Sequence, residues 1–135
     1  MTRRTWLMSL SDEACSSRLA STTIGRLGLV VAGKPEVFPV CHVYLDGCVY
    51  VPTNEGTKMH GALEWPWVGF EVDGIEVDGS SAWSVMVSGR VEEVTDPAEI
   101  ARVAALQRVA FRADGSVRWI RIIATKVTGR QIATE

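Results

Sequence analysis

Apolar and polar positions alternate with a period of two over much of this chain, in short stretches separated by turn residues. Ile24 to Ala32, Val37 to Leu45, Cys48 to Thr53, Trp67 to Val72, Trp83 to Val94 and Val117 to about Thr128 read as strands. Gly33-Lys34-Pro35-Glu36 separates the first two, and Asp46-Gly47, a strong two-residue hairpin signal, joins the second and third. Helical spacing is confined to three short segments. One covers Asp12 to Ala20, capped by Ser9 or Ser11, and one runs from Thr57 to about Glu64. The third opens with Asp96 as N-cap and Pro97 at its first position, with a stripe of Ile100, Val103, Ala104, Leu106 and Val109 or Ala110. Asp73 to Ser81, rich in Asp, Gly and Ser, reads as a solvated loop. Six strands interleaved with short helices, with no regular strand-helix-strand alternation, predict a mainly β fold, a closed or partly closed antiparallel barrel.

With 135 residues, 47% of them apolar, the chain has material for one sizeable core, so a single domain over residues 1–135 is expected. A formal net charge of −2, with both signs interspersed, offers no footprint for a polyanion, and no nucleic-acid partner is expected. The apolar run Leu27 to Ala32 is too short to span a bilayer, and Ser9, Ser11, Asp12 and Glu13 interrupt the N-terminus before a signal-peptide core forms. A cytoplasmic protein without membrane contact is the expectation. Cys15, Cys41 and Cys48 lack metal-ligand spacing, and no metal is expected. Pairing across Asp46-Gly47 would set Cys41 opposite Pro52 and Cys48 opposite Leu45, about 13 Å apart at about 3.3 Å per residue. That distance is beyond a disulfide's reach, so reduced thiols are expected.

Both faces of the Asp46-Gly47 hairpin are apolar. Cys41, Val43, Leu45, Cys48 and Tyr50 lie on one, and Val40, His42, Tyr44, Val49 and Val51 on the other. Trp119, Ile120, Ile122 and Ile123 load both faces of the last strand in the same way. The second face needs a cover. A second copy of the chain, making a homodimer, is the economical one, and helices of the same chain are the alternative.

Several short motifs fall in a familiar order: Ile24-Gly25-Arg26-Leu27, Val37-Phe38-Pro39-Val40, Pro52-Thr53-Asn54-Glu55-Gly56-Thr57-Lys58, Phe70-Glu71-Val72-Asp73, Trp83-Ser84-Val85 with Gly89-Arg90, and Thr128-Gly129-Arg130. In these residues the chain resembles the pyridoxamine 5'-phosphate oxidase-like proteins. The resemblance implies a split β-barrel of the FMN-binding type, dimeric, with a flavin mononucleotide in each of two clefts at the subunit interface.

The same resemblance assigns the phosphate to Thr53, Thr57 and Lys58. A cation, hydroxyls and the N–H groups of a helix start suit a phosphate. The backbone around Phe38, Pro39 and Val40 would form a wall of the ring site, and Trp83 with Ser84 would close it. His42, placed diagonally beside Thr53 by the predicted pairing, reads either as a catalytic group facing the ligand or as a hydrogen-bonded core residue. Two departures stand out: Pro52 where family members carry Arg, and Cys41-His42 where they carry Asn-Tyr. The implied function is an FMN-dependent oxidoreductase acting on an unknown small-molecule substrate. A deazaflavin-dependent reductase and a non-catalytic dimeric ligand-binding or interaction protein are the alternatives.

Overall fold

The structure, a computed structural model, describes residues 5–54, 57–109 and 117–134, with the side chains of 54–60 and 134 outside that description. In chain order the elements are β1 (Thr5–Ser9), α1 (Asp12–Ser21), β2 (Ile24–Val31), β3 (Lys34–Cys41), β4 (Val43–Leu45), β5 (Cys48–Asn54), α2 (Thr57–Glu64), β6 (Trp67–Ile75), β7 (Ser81–Val94), α3 (Pro97–Ala104) and β8 (Val117–Thr134). The strands form one sheet in the order β3-β2-β6-β7-β8-β5-β4, with β1 added on β8 and every pairing antiparallel. The sheet curls around a core that includes Leu27, Phe70, Val85, Val87, Ile120 and Ile122. Its two ends, β3 and β4, do not join. This is the split antiparallel barrel that the resemblance implies, one of the partly closed barrels that the alternation predicts.

Local chemistry explains most boundaries. Ser11 caps α1 by accepting from the Ala14 N–H at 3.1 Å, and Cys15 and Leu19 are buried from that helix. Asp96 caps α3 from Ala98 at 3.2 Å with Pro97 next to it. Asp46 (φ 51°) and Gly47 (φ 78°) are both left-handed, as a two-residue hairpin turn demands.

The structure departs from the expectations in several places. The first hairpin turns at Ala32 and Gly33, so Lys34, Pro35 and Glu36 belong to β3. Pro35 is tolerated because β3 is an edge strand and needs no N–H on its outer side. Val37 to Leu45 is not one strand: it breaks at His42, whose N–H turns to the Thr23 carbonyl at 3.0 Å. β6 continues to Ile75, because Gly74 lets the Trp83 indole pack directly on its backbone. α3 ends at Ala104; of the rest of its predicted stripe, Ala110 lies outside the described residues. β1 had no period-two signal of its own and exists by pairing Thr5 to Ser9 with Arg130 to Thr134. Cys15, Cys41 and Cys48 are free, and Cys41 pairs with Ile24 rather than with Pro52.

The second face of the hairpin finds its cover within the chain. Val43 and Tyr50 pack with Val94, Trp119 and Val103 of α3, flanked by Ile100, Leu45 and Cys48. The helix, not a second copy, closes this face, because its apolar stripe is strong and the chain between β7 and β8 is long enough to lay it there. Val103 is fully buried, so Val103→Ala should cost about 2 kcal/mol through lost burial and the cavity left behind. Thermal unfolding checks this, and the loss should not change with protein concentration.

Candidate functional site

Among the described residues the strand ladder is open between β3 and the end of β5. β4 pairs with β5 only over Cys48 to Tyr50, while β5 continues along β8 to Asn54. The stretch Val51 to Thr53 therefore pairs with β8 on one side and runs past the end of β4 on the other, and both Val51 and Thr53 are buried. β3, an edge strand, lines the opposite side with residues 38–40. α2 starts directly beyond β5, at Thr57. Pairing with β2 directs Phe38 and Val40 to the interior, where both pack on the core, and leaves Pro39 on the outer face across from Arg26. Thr53 is 1% exposed. Thr57 and Lys58 fall at the start of α2, but their side chains lie outside the described residues.

Trp83 and Ser84 are not brought to this opening within one chain. Phe38 aligns through Leu27 and Phe70 with Val87, whereas Trp83 aligns with Gly74. Gly74 is four residues from Phe70, about 13 Å along the strand at about 3.3 Å per residue. Trp83 is buried beneath the Arg18 guanidinium, 4.5 Å from its ring, and Arg18 pairs with Glu76 at 3.3 Å. Beside it lies a shallow cavity of about 410 Å³ lined by Leu7, Ala82, Ser84, Arg130 and Ile132. The predicted site thus divides into an opening with Phe38, Pro39, Val40, Thr53 and the start of α2, and a separate patch with Trp83 and Ser84.

His42 does not take the place predicted for it beside Thr53. The break between β3 and β4 removes it from the ladder. Its Nε2 lies 3.0 Å from the Leu19 carbonyl and 3.3 Å from Thr22 Oγ1, and its ring meets Phe70 edge-on at 4.9 Å. Burial and, to a lesser extent, the charge of Arg108 lower its pKa, opposed by the Leu19 and Thr23 backbone bonds. His42 is thus a buried residue hydrogen-bonded to the end of α1. Pro52 also faces away from the opening. Strand alternation sets it with Tyr50, against Gln107, Arg108 and Val109, on the face of β5 opposite Thr53 and Val51. An arginine at that position would point toward Arg108, not toward Thr53.

Residues 11–131 match the family model described as pyridoxamine 5'-phosphate oxidase. The chain belongs to the pyridoxamine 5'-phosphate oxidase-like family. An uncharacterised protein of Mycobacterium tuberculosis is 31% identical over 101 residues, 71% of this chain and 66% of that protein, so this chain spans slightly under two thirds of its relative. The FAD-binding protein of Mycobacterium smegmatis superposes with a TM-score of 0.78 at 29% identity, covering 93% of this chain and 98% of its own. An FAD-binding protein of Mesorhizobium loti reaches 0.82 over 96% and 99% of the two chains at 24% identity, a likeness that carries the fold alone.

On the outer sheet face this family member carries an acid pair that the sequence reading overlooked. Glu71 and Asp73, two residues apart on β6, point the same way, and Arg26 Nη1 lies 3.5 Å from Glu71 and 3.4 Å from Asp73. Cross-strand pairing puts Pro39 beyond Arg26 and Ser84 beside Asp73. The alternate spacing within Phe70-Glu71-Val72-Asp73 was a sequence signal for such a pair, but only the register with β2 shows the third partner. Desolvation, then hydrogen bonding to Asp73 and its charge, push the Glu71 carboxyl up to about 7 against the pull of Arg26. Because the folded state then holds a proton that the unfolded chain, near 4.5, has released, stability should fall as pH rises between those values. Glu71→Gln should flatten that slope when melting temperature is measured across the same range.

Proposed function

We propose that this chain is a flavin-dependent oxidoreductase that binds FMN and works as a homodimer on a small-molecule substrate. The observation that carries the reading is the meeting of edge strand β3, the end of β5 beyond its pairing with β4, and the start of α2. A backbone edge at residues 38–40 suits the polar rim of a flavin ring, and the first N–H groups of α2 suit its phosphate. Flavin-binding relatives of the same fold add support. When bound, the flavin supplies hydride transfer, and the chain supplies binding, orientation and exclusion of water.

In this reading Thr53, Thr57 and Lys58 hold the phosphate, and the backbone at Phe38, Pro39 and Val40 runs along the ring. Trp83 and Ser84 close the site from a second copy, which accounts for their separation within one chain. The surface for that contact is the outer face of β1, β8, β7 and β6, not the hairpin face. There Leu7, Ile132, Ala82 and Ile75 form one cross-strand row, with Leu7 61%, Ile132 45% and Ile75 76% exposed.

Purified protein should be yellow or should take up added FMN, with FAD titrated in parallel because two relatives are named for it. A colourless preparation indifferent to both would favour the deazaflavin or non-catalytic alternatives. Lys58→Ala should weaken flavin binding by roughly 1.5–3 kcal/mol, the scale of one charge-assisted hydrogen bond, without moving the melting temperature of the apoprotein. Light scattering at micromolar concentration should give twice the chain mass, as expected of an interface burying upwards of roughly 2,000 Å². Leu7→Glu should convert that species to monomer.

A further inference from the structure

Beyond the row of Leu7, Ile132 and Ile75, the same outer sheet face leaves three more large apolar side chains uncovered: Val37, Trp67 and Met86, 68%, 55% and 46% exposed. Among them runs a trough. Gly28 pairs with Val37 on one side and with Gly69 on the other, and Gly69 pairs in turn with Ser88, so the trough crosses β3, β2, β6 and β7. Its volume is about 390 Å³, and Pro35, Val30, Val37 and Trp67 stand among its walls. The two glycines of its floor are not required by the chain itself. Neither has left-handed backbone, and the bulge in this part of the sheet falls at Ser88 and Gly89 instead. A Cβ on Gly69 would meet nothing within 4 Å, and one on Gly28 would meet only the Gly69 carbonyl at 3.7 Å. Glycine inside a strand weakens it, and where no bulge, bend or internal crowding calls for it, what remains is the close approach of another body.

The trough suits an apolar ring better than a polar small molecule. A small ligand is oriented by convergent polar groups, and here Thr125 already donates to the Ser88 carbonyl at 3.0 Å, while strand alternation turns Glu36 to the opposite side with Leu29. The exposed ring on the wall is Trp67. A patch that offers both a hole and a knob is complementary to its own copy, as a two-fold contact demands. The charges agree with such a contact. Arg90, cross-strand from Trp67, lies on one side of the trough and Glu71 on the other, and around Arg26 two carboxylates meet one guanidinium. The half-turn that brings Trp67 into the trough of a second copy carries Arg90 toward that copy's acid pair. We propose that Trp67 of each copy seats over Gly28 and Gly69 of the other, with Arg90 turned toward Glu71 and Asp73. The proposal rests on the homodimer reading above and adds a second anchor to that contact, about 20 Å along β6 from Ile75 at about 3.3 Å per residue.

Gly69→Val and Trp67→Ala, each in the full chain labelled with 5-fluorotryptophan, test the contact. Gly69→Val fills the trough at a position where the chain leaves space and where a β-branched residue suits the strand, so its far-ultraviolet circular dichroism should match the parent's. Both variants should raise the dimer dissociation constant at least tenfold in sedimentation. The Trp67 fluorine signal, identified by its loss in Trp67→Ala, should be insensitive to exchange of water for heavy water in the parent dimer and become sensitive in Gly69→Val. A dimeric parent with a solvent-sensitive Trp67, or a Gly69→Val chain that dimerises as tightly as the parent, would overturn the Trp67 contact and leave the homodimer standing. A parent that stays monomeric would overturn both.

Discussion

At His42 the chain leaves the ladder it has been building along β2. Its N–H goes to Thr23, its ring is held by Leu19 and Thr22 at the end of α1, and β4 starts one residue later. A strand continuing straight from β3 into the hairpin would carry the β3 edge on toward β5. Interrupted here, the sheet keeps β3 and β4 as separate edges, and the proposed site uses the β3 edge. The break is held from three directions, by the end of α1, by Thr23 just before β2 and by the edge-on ring of Phe70.

A second constraint fixes α3. Tyr50 donates to Glu99 at 2.6 Å, Arg121 reaches Glu99 and Glu92 at 2.6 Å each, and Val103 fills the apolar space below them. The Tyr50 hydrogen bond, and then Arg121, lower the Glu99 pKa against desolvation, so the carboxylate stays ionised where the bridge needs it. Exposed ion pairs contribute little by themselves, but this one is anchored on a buried tyrosine and orients a helix whose burial does most of the stabilising. With α3 covering the hairpin, the outer face of β1, β8, β7 and β6 still exposes Leu7, Ile132 and Ile75.

Period-two alternation was sufficient to mark six strands, and the caps at Ser11 and Asp96 and the Asp46-Gly47 turn were legible because each rests on contacts within a few residues. The motifs running from Gly25 to Arg130 carried the family. These features depend on local backbone preference and on side-chain order along the chain, both of which a linear sequence contains. The chain alone could not show β1, whose residues are strand only because β8 is there to pair with them. Nor could it show the extension of β6 through Asp73 and Gly74, where packing against Trp83 overrides a composition that favours a loop.

The same division holds for the site. The proposed site residues came from the resemblance, whose motifs lie on β3, β5 and α2. The face on which Pro52 lies, the withdrawal of His42 from the ladder, the separation of Trp83 from Phe38, and the meeting of Arg26 with Glu71 and Asp73 all depend on register between distant strands. Register is decided by which pairing buries the apolar face of the whole sheet at once. Residue types and local elements were thus determined by the sequence read alone, while tertiary pairing decided which side chains share a face and which cavity each one lines.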